Sequence, residues 1–253
     1  MKELSQLAAG ALLAVVALVG CQPRAEQPAA SAAPTPAPIL LFDGTGTSPN
    51  DVVAVRALLD REKLRYVTAD SAALDRLTTQ QLGQFDLLII PGGNFEEMGK
   101  ALKPATTAAI RAAVQGGVNY LGICAGAFIA GDSPYNGINL TGKRFGFHAE
   151  SETGVRKTAV RLENGDGTRF KTYWEDGPEL SGWGTVLAQY QDDTPAVVQG
   201  KVGAGWVVLT GVHLEAPQNW YDGLDAPDAA VTSTAYALEL IHAALNGEAL
   251  PYL

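Results

Sequence analysis

The sequence predicts an α/β domain built on a doubly wound, mostly parallel sheet flanked by helices, with an antiparallel extension in its C-terminal half. Three observations carry this. Up to Gly131, short continuous apolar runs alternate with helical segments, and glycine-rich turns join them; beyond Gly131 the texture changes to shorter β-like runs.

Ile39-Leu40-Leu41-Phe42 is an unbroken apolar run ending at Asp43-Gly44-Thr45-Gly46-Thr47, the pattern of a strand buried on both faces that leads into a turn. Ser48-Pro49 then supplies a cap and a first-turn proline. Val52, Val55, Leu58 and Leu59 follow at helical spacing. Tyr66-Val67 reads as a second strand, Asp86 to Ile90 as a third and Val118 to Leu121 as a fourth, with a helix near Pro104 to Val114 between the last two. In the second half, Ala159 to Leu162, Thr185 to Tyr190, Ala196 to Val198 and Trp206 to Leu209 are the β-like runs. Thr232 to Leu245 is an amphipathic helix stopped by Asn246-Gly247.

Ahead of this body lies a different kind of sequence. Leu7 to Val19 is almost wholly Leu, Ala and Val, the length of a signal-peptide core and too short to span a bilayer. Leu18-Val19-Gly20-Cys21 resembles the lipobox of bacterial lipoproteins, which implies cleavage after Gly20 and acylation of Cys21. Several acyl chains would hold the protein stably at a membrane. Residues 22–38, rich in Pro, Ala, Gln and Ser, cannot bury enough surface to fold and read as a tether. The expected organisation is therefore a signal peptide over 1–20, a lipidated cysteine and tether over 21–38, and one folded domain over 39–253. The expected location is the bacterial cell envelope, outside the cytoplasm, and on the periplasmic face of the outer membrane in a Gram-negative cell.

Charge narrows the partners. Eighteen basic against 27 acidic residues give a formal charge of −9, which repels nucleic-acid backbones and anionic headgroups. With Cys21 consumed by lipid, Cys124 is the one remaining thiol and no internal disulfide is expected.

Ligands of open α/β sheets bind at the carboxyl ends of the strands, so the strand-to-helix turns hold the candidate chemistry. Gly122-Ile123-Cys124-Ala125-Gly126 follows the fourth strand and precedes an Ala-rich stretch, the cysteine equivalent of the G-x-S-x-G nucleophile elbow. Small neighbours let the chain turn sharply with the sulfur at its tip, and a helix start beneath the sulfur favours the thiolate. A buried cysteine acting as a small hydrophobe is the plainer reading, which the flanking glycines and strand context disfavour. In Pro91-Gly92-Gly93, the amides of Gly92 and Gly93, with that of Ala125, are candidates for an oxyanion hole.

A thiol nucleophile needs a base and a group to orient it. His213-Leu214-Glu215 offers both: in an extended segment residues two apart share a side, so Glu215 can hold the imidazole while the ring faces Cys124. His242, amid Leu238, Leu240 and Ile241, reads as a surface or packing histidine. His148 lies in an irregular stretch without a visible partner. Three scattered histidines form no metal motif, and no cofactor is expected. The Asp43 to Ser48 loop lacks both the third glycine of G-x-G-x-x-G and a Gly-Lys-Ser ending, so it reads as a plain turn.

The elbow and the His-x-Glu pair resemble the signatures of class I glutamine amidotransferases, which implies their flavodoxin-like fold. More closely, Asp43 to Ser48, Ile90 to Gly93, Tyr120 to Ala127, Tyr173-Trp174-Glu175-Asp176-Gly177-Pro178 and Gly211 to Glu215 resemble, in order, the amino-terminal domain of eukaryotic biotin-protein ligases and its stand-alone bacterial relatives. The resemblance spans about residues 39 to 245. It implies Cys124 as nucleophile, His213 as base and Glu215 as orienter. Leu214 stands where a proline is usual, and Asp176-Gly177 where a glycine pair is expected. Ala125 separates the chain from PfpI-like proteases, which place a histidine after the cysteine. No Gly-Arg-Gly-Arg run is present, so biotinylation is not implied. Tyr173 and Trp174 either line a pocket or pack.

Two functions follow. The first is an envelope-anchored hydrolase or acyl-transfer enzyme acting on an amide or related carbonyl of a small-molecule or peptide-like substrate through a Cys124 thioester. The second is a ligand-binding lipoprotein that keeps the fold without turnover.

Overall fold

A computed structural model describes residues 38–148 and 156–252. The expected signal peptide over 1–20, Cys21 and all but the last residue of the expected tether lie outside the described residues. Nine strands form one sheet: β1 (Ile39–Phe42), β2 (Tyr66–Ala69), β3 (Leu87–Ile90), β4 (Asn119–Ile123), β5 (Lys157–Asn164), β6 (Arg169–Glu175), β7 (Thr185–Gln189), β8 (Pro195–Val202) and β9 (Gly205–Thr210). The helices are α1 (Pro49–Arg61), α2 (Ser71–Leu74), α3 (Thr79–Leu82), α4 (Phe95–Ala101), α5 (Pro104–Gln115), α6 (Ala125–Ala130) and α7 (Ala229–Asn246), with a 3₁₀ turn at Gln218–Tyr221.

The strand order is β2-β1-β3-β4-β9-β8-β7-β5-β6. Neighbours from β2 through β9 are parallel, and from β9 through β6 antiparallel. The fold is thus the mixed α/β arrangement read from the sequence.

Why the first strands are apolar throughout is visible in their packing. Ile39 and Leu41 of β1, with Leu87 and Ile89 of β3, face α1 and α7, where they meet Val52, Val55, Leu59, Leu240 and Ile241. Their alternates Leu40, Phe42, Leu88 and Ile90 pack on the opposite side with Met98, Ile110, Val114 and Phe128 of α4, α5 and α6. A strand covered on both faces gains from an apolar residue at every position.

Helix α1 begins as expected, with Ser48 accepting from the Asp51 amide at 3.4 Å and Pro49 in the first turn. Two strands depart from the sequence reading, which also has no counterpart for the short helices α2, α3 and α4. Trp206 to Leu209 lies in β9, which is the hinge of the sheet, parallel to β4 on one side and antiparallel to β8 on the other. β6 is absent from that reading because Arg169 and Lys171 interrupt its apolar pattern; Phe170, Thr172 and Trp174 are buried between them. No helix among the described residues is long and apolar enough to cross a membrane.

Asn119, at the start of β4, joins three elements. Its side chain accepts from the Trp206 amide at 2.8 Å and donates to the Leu245 carbonyl at 3.3 Å. Asn119→Ala strands both groups, and a urea unfolding curve is expected to show a loss of about 1–3 kcal/mol with an unchanged slope.

Candidate active site

The end of β4 delivers Cys124. Its amide donates to the Thr210 carbonyl at 2.8 Å, prolonging the β4–β9 ladder by one bond. The backbone then breaks away at φ 48° and ψ −102°, a conformation that a non-glycine residue adopts at a cost of about 1–3 kcal/mol. Immediately afterwards the Cys124 carbonyl accepts from the amides of Ala127 and Phe128, opening α6. Glycine makes this turn possible: a Cβ on Gly126 would lie 1.9 Å from the Ile90 carbonyl oxygen, and one on Gly122 would lie 2.6 Å from that of Gly126. The elbow anticipated from Gly122 to Gly126 is therefore present, with the strain centred on the cysteine.

His213 follows β9. Its amide donates to the Tyr173 carbonyl at 2.9 Å, and the chain then turns, with the Ala216 amide returning to the His213 carbonyl at 3.2 Å. The segment is a turn rather than the extended run assumed from sequence, yet Glu215 still reaches the ring: its Oε1 lies 3.0 Å from Nδ1. A second carboxylate, absent from the sequence reading, meets the same nitrogen. Asp51 Oδ1, from the first turn of α1, is 2.9 Å from Nδ1. Cys124, His213, Glu215 and Asp51 are all at most 5% exposed.

Burial opposes the imidazolium, but the charge on Cys124, followed by those on Asp51 and Glu215, outweighs it and holds the His213 pKa well above 6.5. The two carboxyls diverge. Burial raises that of Asp51, but His213 and the Ser48 hydroxyl pull it below the ordinary value; burial raises that of Glu215, the neighbouring Asp51 charge adds to this, and His213 does not fully offset them. One carboxyl is thus ionised while the other tends to keep its proton.

The candidate atoms of Asp51, His213 and Glu215 lie within 4.8 Å of one another, a spacing that a small cation also satisfies. The 3.0 Å contact of Glu215 Oε1 with Nδ1 is, however, a hydrogen bond and the 2.9 Å approach of Asp51 Oδ1 an ion-pair distance, so a protonated ring meets both acids with its own charge.

Two clefts flank this group. One, of about 280 Å³, is lined by Gly93, Asn94, Phe95, Glu96, Cys124, Phe128, Phe147, Glu175 and Asp176. Its wall is aromatic, Phe95 and Phe128 stacking at 4.4 Å and Phe147 approaching Phe128 at 5.0 Å. The Cys124 sulfur lies 3.7 Å from the Glu175 carbonyl oxygen. The second cleft, of about 300 Å³, contains Asp51, Lys157, Tyr173, Glu175 and Trp220.

The residues proposed to bind substrate separate. Gly93 lines the cysteine cleft. Gly92 spaces the histidine cluster, because a Cβ there would lie 2.1 Å from Asp51 Oδ1 and 2.6 Å from His213 Cε1. Ala125 is the first residue of α6, directly after the sulfur. Tyr173 stands edge-on to the His213 ring at 5.8 Å, and its hydroxyl donates to Glu175 at 2.9 Å. Trp174 packs in the core and lines neither cleft, because it alternates across β6 from Tyr173. His148 does have partners: it stacks on Tyr190 at 3.5 Å, and its Nδ1 lies 3.2 Å from the Thr194 hydroxyl. His242 lies near Glu62 at 3.8 Å, half-exposed. Asp176, where a glycine pair is expected, takes φ 42° and accepts from the Arg156 amide at 3.0 Å.

Gly92→Ala is expected to push Asp51 away from His213 and cost about 1–3 kcal/mol in urea unfolding. Gly146→Ala, whose Cβ would meet nothing within 4 Å, controls for the substitution without the contact.

Comparison with known proteins bears on the fold. Residues 37–133 match the family model described as biotin-protein ligase, N terminal. A biotin–protein ligase of Schizosaccharomyces pombe is 27% identical over 187 residues, which cover 61% of this chain and 30% of that protein. A glutamine amidotransferase structure aligns with TM-score 0.55 and 19% identity, covering 73% of this chain and 97% of the other. A cytoplasmic protein from Salmonella typhimurium LT2 aligns with TM-score 0.53 and 13% identity over 81% and 99% of the two chains. Gan42B, a GH42 β-galactosidase, aligns at 0.51 with 14% identity over 82% of this chain and 30% of its own.

Proposed function

From a chain with a class I glutamine amidotransferase-like fold and a match to the biotin-protein ligase N-terminal domain, we propose an envelope-anchored enzyme that hydrolyses or transfers an acyl group through a Cys124 thioester. The observation that carries the reading is Cys124 held at φ 48° on the elbow, with its charge the strongest favourable influence on a buried His213.

In this reading the Cys124 thiolate attacks the carbonyl carbon of an amide. The carbonyl electron pair moves to oxygen, where the amides of Gly93 and Ala125 are the candidate donors. On collapse the C–N bond breaks, and the leaving amine takes a proton from the His213 imidazolium. Water, or a second amine, then attacks the thioester while His213 accepts its proton, and the thiolate departs. Glu215 fixes the ring through Nδ1, as an orienting carboxylate does in other nucleophile–histidine pairs.

Anchoring rests on the sequence of residues 7–21: an apolar stretch, a small Gly20 and then Cys21. The lipid would tie the protein to a membrane while residues 22–38 let the domain stand off it. Intact mass of the membrane fraction is expected to show a mature chain beginning at an acylated Cys21; a different amino terminus, or Cys21 without lipid, contradicts the anchor.

The catalytic reading is tested without knowing the substrate. Alkylation of the full chain by a small electrophile is followed against pH on the Cys124 peptide. Labelling is expected to persist near pH 6, about two units below the ordinary range for thiols. His213→Ala should slow it there, and His242→Ala should leave it unchanged. An ordinary thiol titration indifferent to His213 would favour a binding protein that retains the fold.

A further inference from the structure

We infer that Asp51 is a positioning residue for His213, and that Asp51 and Glu215 together form a two-carboxylate clamp on its Nδ1. The inference rests on the reading of Cys124 and His213 as a nucleophile–base pair.

Asp51 comes from α1, 162 positions before His213 in the chain, and its plain structural role would be at the helix start. Ser48 caps α1, and an acidic residue in the first turn of a helix is favoured by the helix dipole. That role needs no burial. Asp51 is instead 4% exposed, and its Oδ1 lies 2.9 Å from His213 Nδ1, closer than the 3.0 Å of Glu215 Oε1. The surroundings fit this approach: Gly92 has no room for a Cβ between Asp51 and the ring. The ring N–H bonds Glu215 Oε1, while Asp51 Oδ1 meets the ring as an ion pair without a hydrogen bond and Glu215 Oε2 makes none among the described residues, so the charge of the ring is what compensates two buried acids.

Charged and titratable groups surround the ring on several elements. Cys124 comes from the turn between β4 and α6, Asp51 from α1, Glu215 from the turn after β9, and Tyr173 from β6; Tyr190, after β7, also feels the ring's charge. Burial pushes the phenols of Tyr173 and Tyr190 further up, so they stay neutral through the working range and the carboxyl pair carries the negative charge at Nδ1. The ring is therefore favoured as a cation by the Cys124 charge and by an acid pair that carries at least one negative charge. Removing one acid weakens the imidazolium and with it the thiolate, while the other acid keeps the ring oriented.

The test is the pH profile of Cys124 alkylation in the full chain, with Asp51→Asn, Glu215→Gln, the double variant and His213→Ala. Leu59→Ala, buried in α1 away from the cluster, supplies a variant destabilised through the same helix. Each single carboxamide is expected to move the profile upward by about one pH unit, a loss of about tenfold in rate near pH 6. The double variant should fall to the level of His213→Ala, and Leu59→Ala should keep the wild-type profile. A wild-type profile for Asp51→Asn, with His213→Ala still displaced, overturns the clamp alone. Indifference to His213→Ala overturns the nucleophile reading and the clamp with it. Should Asp51→Asn not fold, wild-type protein is dialysed against a chelator and then given Zn²⁺. A profile unchanged by both supports the clamp; stoichiometric Zn²⁺ uptake that requires Glu215 shows a cation held where the imidazolium proton is placed, and overturns it.

Discussion

The arrangement depends on one constraint: the chain must reverse from β4 into α6 through a cysteine whose φ is 48°. A conformation of this kind persists only where neighbours over-determine it. Here the ladder bond to Thr210 fixes one side, two α6 amides on the Cys124 carbonyl fix the other, and the contact of Gly126 with the Ile90 carbonyl leaves the helix no other seat. Strand β9 is bonded to β4 at this end, so the same register that holds the elbow delivers the His213 turn beside it.

The second consequence is electrostatic. A thiol, an imidazole and two carboxyls come together in a group almost wholly removed from water. Unpaired, each charge would carry a large desolvation cost; alternated in sign, they stabilise one another. The charges of Cys124, Asp51 and Glu215 favour the proton on the ring against its burial, and the acids split their tendencies because like charges this close resist joint ionisation. The half of the sheet from β8 to β6 matters through this group: Tyr173 on β6 accepts the His213 amide, and Glu175 closes the cysteine cleft.

Much of this was legible in the sequence for a definite reason. Ile39 to Phe42 and Leu87 to Ile90 announce strands buried on both faces because every position is apolar, and Gly122 to Gly126 announces a sharp turn because small residues flank a reactive one. His213 and Glu215 were legible as a pair because they are two residues apart, although a turn rather than a strand brings them together. Asp51 was not. Its local sequence, Ser-Pro-Asn-Asp, fits an ordinary helix start, and only the fold, which brings the first turn of α1 beside the turn after β9, aims its carboxyl at a distant histidine. β6 was missed because the charged Arg169 and Lys171 interrupt a strand whose Phe170, Thr172, Tyr173 and Trp174 are buried.

His213 is buried with Asp51 and Glu215 at its Nδ1, and the charges of Cys124, Asp51 and Glu215 favour its protonated form. Nitrogen-15 NMR of the histidine rings in the full chain measures this directly, with His213→Ala identifying the resonance. Both His213 nitrogens are expected to stay protonated at pH values above the ordinary histidine midpoint near 6.5, with a shift toward the neutral ring in Cys124→Ser. A His213 ring that is neutral at pH 7, or whose titration ignores Cys124→Ser, would contradict it.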